Sequence, residues 1–137
     1  MKRIVFSTLL LFIFAVGLSV IGFNQNYAAA DDSLDGKSFV VKISEHGKDN
    51  EPTDDELIFK DGTFFSTDCE QYGFGKAPYE SMSKGDFTLF KAVATSKKEG
   101  KAEWEGKVTG DKIAGTFMWS KEGQDPIIYT YEGSLNK

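Results

Sequence analysis

The residues able to do chemistry are few. Cys69 is the only cysteine and His46 the only histidine. A closed zinc site needs four nitrogen or sulfur ligands, which this pair does not supply. A single cysteine also leaves the chain without an internal disulfide, so packing alone must hold it together. Asp68 and Glu70 flank Cys69, and adjacent carboxylates disfavour the thiolate, which is the reactive form. His46 lies among Glu45, Gly47 and Lys48, a solvated turn rather than the ordered setting of a Ser-His-Asp device. Acids gather between Asp49 and Asp55, but the alternating ligands and mid-loop glycine of a calcium loop are missing. The residues therefore specify no catalytic group, no metal site and no cofactor.

The second chemical resource is aromatic. Phe39, Trp104, Phe117, Trp119, Tyr129 and Tyr131 share the inward phase of their strands, and Phe74 stands between Gly73 and Gly75. Apolar walls with a few polar handles describe a small-molecule pocket. A buried phenol needs a hydrogen-bond partner, which makes Tyr129 and Tyr131 the candidate handles. Glu103, Glu105 and Glu132 fall on the outward phase. They do not face one another across a cleft as the two carboxyls of a glycosidase must.

The elements that position these residues are strands. Gly110-Asp111 places glycine first in a two-residue turn, and folding about it opposes Val108 to Ile113, Gly106 to Gly115, Trp104 to Phe117 and Ala102 to Trp119. One face is apolar on both strands and the other mostly polar, so a single register satisfies both. Asp61-Gly62 fits a type I′ turn that pairs Phe59 with Phe64 and Leu57 with Ser66. The same hairpin sets Ile58 beside Phe65 on its other face; a loop or terminus covers them, or else they form an exposed patch open to a protein partner. Phe39, Val41 and Ile43 alternate with polar neighbours in a first strand, and residues 127–135 alternate in a closing one.

Residues 31–36 read as a polar lead-in, and Glu45 to Asp55 as a surface loop. For residues 87–96, a five-residue turn from Lys97 to Lys101 sets Phe90 against Val108 with Lys91 outside. A four-residue turn would send Lys91 inward, which charge burial disfavours.

About eight short strands joined by short turns predict an all-β fold: one up-and-down antiparallel meander closed into a small barrel, since closure removes the exposed edges. A small two-sheet sandwich is the alternative. The inward glycines Gly106, Gly115 and Gly133 imply coiled strands or room for a bulky neighbour. In architecture the chain resembles the lipocalin-like (calycin) barrels, with Trp104 and Trp119 near strand ends. The Gly-x-Trp signature of that family near the first strand is absent, as is its usual disulfide. The resemblance therefore implies the fold and transfers no site residues.

Met1-Lys2-Arg3, an apolar run from Ile4 to Phe23, and Ala28-Ala29-Ala30 before Asp31 read as a secretory signal over residues 1–30. The run is long enough for a membrane anchor, and the alanine site favours cleavage instead. Residues 31–137 then form a single β-barrel domain, periplasmic or secreted, without stable membrane insertion. Losing Lys2 and Arg3 takes the formal charge from −5 to −7, which argues against nucleic-acid partners. The expected function is binding of a small apolar ligand in the barrel interior. An envelope protein-interaction module, or an inhibitor of an extracytoplasmic enzyme, is the alternative, and an enzyme ranks last. Mass measurement of the exported protein should place its N-terminus within a few residues of Asp31; an intact Met1 on extracytoplasmic protein would refute cleavage.

Overall fold

The computed structural model describes residues 28–29 and 34–137. The signal and its cleavage position fall outside the described residues, apart from Ala28 and Ala29. These two form a short strand, β1 (Ala28–Ala29). The barrel strands follow as β2 (Ser38–Glu45), β3 (Thr53–Lys60), β4 (Thr63–Ser66), β5 (Ala77–Lys84), β6 (Phe87–Ser96), β7 (Gly100–Thr109), β8 (Lys112–Ser120) and β9 (Ile127–Leu135). Each pairs antiparallel with its chain neighbour, β9 pairs with β2, and β5 with β6, so β2–β9 close into an eight-stranded up-and-down barrel. The sandwich alternative is ruled out. β1 lies outside the ring, with Ala28 opposite Ser81 and Ala29 opposite Glu80 on β5.

The two tight hairpins adopt the registers their turns dictate. Asp61 and Gly62 both have positive φ (53° and 77°), as a type I′ turn requires, and Phe59 faces Phe64 while Ile58 faces Phe65. Across the β7–β8 hairpin, Trp104 opposes Phe117 and Gly106 opposes Gly115.

The β6–β7 connection is tighter than expected. Ser96 pairs with Gly100, Gly100 adopts φ +91°, and the register shifts so that Phe90 meets Gly106 rather than Val108. Lys91 stays outside, opposite Glu105. Packing decides the shift. A Cβ on residue 106 would lie 2.7 Å from the Phe90 ring and 2.4 Å from the Tyr131 hydroxyl oxygen, so both large side chains need glycine there.

The core fills the centre of the barrel and the end bearing the β3–β4, β5–β6 and β7–β8 turns. Phe39, Phe59, Phe64, Tyr79 and Phe90 are fully buried. Phe59 sits at their hub, with ring centroids 4.9 Å from Phe90, 5.0 Å from Tyr79 and 5.3 Å from Phe64, mostly in the edge-on geometry that ring quadrupoles favour.

Two segments read as polar connections are structural. Leu34 is buried in the core, and the Asp35 carboxylate accepts from the Gly62 amide (3.1 Å) and the Tyr79 hydroxyl (2.7 Å). The lead-in thus ties the β3–β4 turn to β5. There the ladder is short, because β4 shares only Thr63–Pro78 and Phe64–Ala77 with β5. Likewise β3 starts at Thr53 rather than Glu56, and Asp55 points inward, 5% exposed.

Trp104 is buried among Phe64, Phe117 and Tyr131, so Trp104→Ala should cost ~3–5 kcal/mol as a large-to-small core change. Glu105→Ala, on the exposed phase, should change stability by no more than about 0.5 kcal/mol. Denaturant unfolding of both variants checks this, and equal effects would contradict the register.

Candidate functional site

The free volume lies at the opposite end of the barrel, and its origin is a change of residue size along the strands. In the belt across the middle, Phe90, Gly106, Gly115, Tyr131 and Ile43 are lateral neighbours, and the two glycines accommodate the large rings. One belt nearer the mouth, Ala92, Trp104, Phe117 and Tyr129 follow one another. At the mouth itself Ala94, Ala102 and Trp119 are neighbours. A cavity of about 380 Å³ opens there, with Ala102 and Trp119 in its lining.

Ile43, Ala102 and Phe117 line its base, each under a tenth exposed. Phe117 stacks on Trp104 at 4.0 Å between centroids and on Tyr129 at 4.7 Å, so a column of rings runs from the dry core to the cavity. Trp119 and Tyr129 form the wall, and Trp119 Nε1 donates to the Glu99 carbonyl. Among the described residues the Tyr129 hydroxyl makes no hydrogen bond, and the phenol keeps its proton above the usual range through burial first and then the negative charge of Glu45.

The remaining wall comes from residues 67–76, held by the buried Asp55. One Asp55 oxygen accepts from Ser66 Oγ. The other accepts from the Asp68 amide (2.9 Å), Thr67 Oγ1 (3.1 Å) and the Glu56 amide (2.7 Å). Ser66 Oγ in turn accepts from the Cys69 amide at 3.2 Å. These bonds launch a single 3₁₀ turn, Cys69–Tyr72, which Gly73 ends in the left-handed conformation (φ +91°). Ser96 Oγ donates to the Tyr72 carbonyl at 2.8 Å, anchoring the loop to the β6–β7 turn. The result places Cys69, Tyr72 and Phe74 over the cavity. Phe74 is 6% exposed and Tyr72 52%, so one ring is tucked in and the other stands in solvent.

Of the aromatic residues singled out in the sequence, Phe74, Phe117, Trp119 and Tyr129 come together around this cavity. Phe39, Trp104 and Tyr131 do not line it; all three are buried in the packed core. Tyr131 satisfies its hydroxyl by donating to the Glu105 carbonyl at 2.8 Å, and burial, with Glu105 beyond it, holds its phenol well above the usual range. Ile58 and Phe65, opposite each other on the outer face, are half-buried. Sequence reasoning left out Ala102, Thr53, Asp68 and Glu99 from the lining. The signal for the cavity was the small inward Ala102 opposite Trp119; nothing in the sequence placed Asp68 and Glu99 at the same opening.

Fold and site together define a closed eight-stranded up-and-down β-barrel with a filled centre and an apolar cavity at one mouth. No family model, no curated protein and no solved structure matches the chain.

Burial pushes the Cys69 thiol up to about 11, reinforced by Asp55 and Asp68 against the Ser66 hydrogen bond. The thiol therefore contributes stability below its ordinary range, and that contribution is lost as pH rises through about 11. Iodoacetamide should label Cys69 slowly in the folded protein until pH nears that value, and rapidly at pH 9 in denaturant. Equal rates at pH 9 in both states would contradict a protected thiol.

Proposed function

We propose that this protein is an exported binding protein for a small, mostly apolar ligand held at the barrel mouth. The observation that carries the reading is the cavity itself: about 380 Å³, apolar at its base, with the unbonded Tyr129 hydroxyl as a polar handle in its wall. That volume stands at the small end of ligand pockets, which run from about 300 to 1,000 Å³. The ligand is compact rather than a long lipid, because the aromatic core beneath the cavity leaves the chain no deeper channel to offer. Binding would strengthen by about 0.8 kcal/mol for each methylene buried.

A second reading has its own support. The barrel centre is filled, Tyr72 is exposed at the loop tip, and Ile58 and Phe65 form a half-buried pair on the outer wall. Those features suit an envelope protein-interaction module or an inhibitor of an extracytoplasmic enzyme.

Titration with octanol, followed through tryptophan emission, separates the two. Saturable quenching is expected for the wild type. It should be lost in Thr53→Trp, which places a bulky ring at an exposed rim position without touching the core. Wild type showing no saturable response to octanol or to a broader panel of compact hydrophobes would overturn the ligand reading and leave the interaction module.

A further inference from the structure

The cavity has a charge preference built into its wall. Its charged residues are both carboxylates, Asp68 and Glu99, and no lysine lines it among the described residues. The two acids differ. Glu99 is paired with Lys121 at 3.1 Å, so its charge is already matched. Asp68 forms no ion pair among the described residues, and its side chain accepts only from Gln71 Nε2, at 3.1 Å. Nor does Asp68 cap the 3₁₀ turn that it precedes, so helix geometry does not account for its carboxylate. Behind it, Asp55 is buried with hydroxyl and amide donors and no cation. Tyr72, Phe74, Trp119 and Tyr129 line the same cavity as this unmatched charge, and ring faces attract cations.

Resting on the apolar-cavity reading above, we propose that the ligand carries a cationic nitrogen, a compact amine or ammonium whose head group sits at Asp68 while its apolar part lies against Phe117 and Trp119. An anionic head group of fatty-acid type would meet the unmatched Asp68 carboxylate and no lysine in the cavity lining, a repulsive element that discriminates against it. The titratable groups at this end agree. Asp68, Cys69 and Tyr129 all hold their protons above the ordinary range, each by burial first and then by neighbouring negative charge: Asp55 for Asp68, Asp55 and Asp68 for Cys69, Glu45 for Tyr129. Burial, the larger cause, disfavours charge of either sign; the neighbouring negative charge is the part of these shifts that a cation relieves.

The test uses three ligands of one chain length, octylammonium, octanol and octanoate, titrated at pH 7 into the wild-type chain with tryptophan emission as readout. Octylammonium should bind about tenfold or more tighter than octanoate, with octanol between, as expected for one unscreened charge contact at a partly buried site. Asp68→Asn, which keeps the shape and the Gln71 contact, should bring octylammonium down to the octanol level. Glu70→Gln, an exposed acid off the cavity wall, should leave the order intact. Octanol binding with octylammonium no tighter would overturn the head-group inference while the apolar cavity stands. Preference surviving in a folded Asp68→Asn would overturn the assignment to Asp68. If none of the three binds, both this inference and the ligand reading fall.

Discussion

The structure depends on fitting Tyr131 across a barrel too narrow to hold it beside ordinary neighbours. Its ring lies in the same belt as Gly115 and Gly106, and its hydroxyl reaches the Glu105 carbonyl beyond them. A Cβ on residue 115 would come within 2.6 Å of that hydroxyl and 2.1 Å of the Glu105 carbonyl. Two glycines in facing strands are unfavourable for sheet propensity, and here the tyrosine and Phe90 recover the loss by occupying the vacated space. Because that belt is packed solid, whatever the barrel can hold is displaced to the mouth. The position of the cavity follows from the position of the glycines.

The second constraint is the buried carboxylate of Asp55. A charge taken out of water is costly unless its lone pairs are filled, and this one receives donors from Ser66, Thr67, Asp68 and Glu56. Three of those donors, from Ser66, Thr67 and Asp68, sit at the end of β4 and the start of the loop, so satisfying the carboxylate fixes the path of residues 66–69. Thus one polar group inside the apolar wall sets where Cys69, Tyr72 and Phe74 stand, and an irregular loop gains a defined geometry without a disulfide.

What could be read from the sequence and what could not divides along the range of the interactions. Tight two-residue turns carry their own register, so the pairings Trp104–Phe117 and Phe59–Phe64 are legible in the order of residues alone, and with them the meander and its closure. The β6–β7 register is not, because its turn is ambiguous and the decision lies with Phe90 and Tyr131 competing for the space above Gly106, residues that meet only in three dimensions. Asp55 reads as loop because it follows a run of acids, and all its partners but the adjacent Glu56 amide lie eleven to thirteen positions away. Aromatic residues at inward phase are legible as a set, yet their division into core and cavity lining depends on the alanines opposite them. Leu34, a single apolar residue in a polar stretch, gives no periodicity to follow.

The shortness of the β4–β5 ladder has a kinetic meaning. Two residue pairs join those strands, against ten between β6 and β7, and the Asp35 bonds to Gly62 and Tyr79 reinforce that junction. Local opening proceeds from the least stable contacts, so the wall is weakest along one flank, where a carboxylate acts as the clasp. Opening along that flank would have to break the Asp35 bonds, whereas access at the mouth is set by the loop that Asp55 holds. Amide protons of β4 and the adjoining part of β5 would report the flank opening while those of β7 and β8 stay silent, giving the molecule a hinge line that its rest structure shows only as a missing row of bonds.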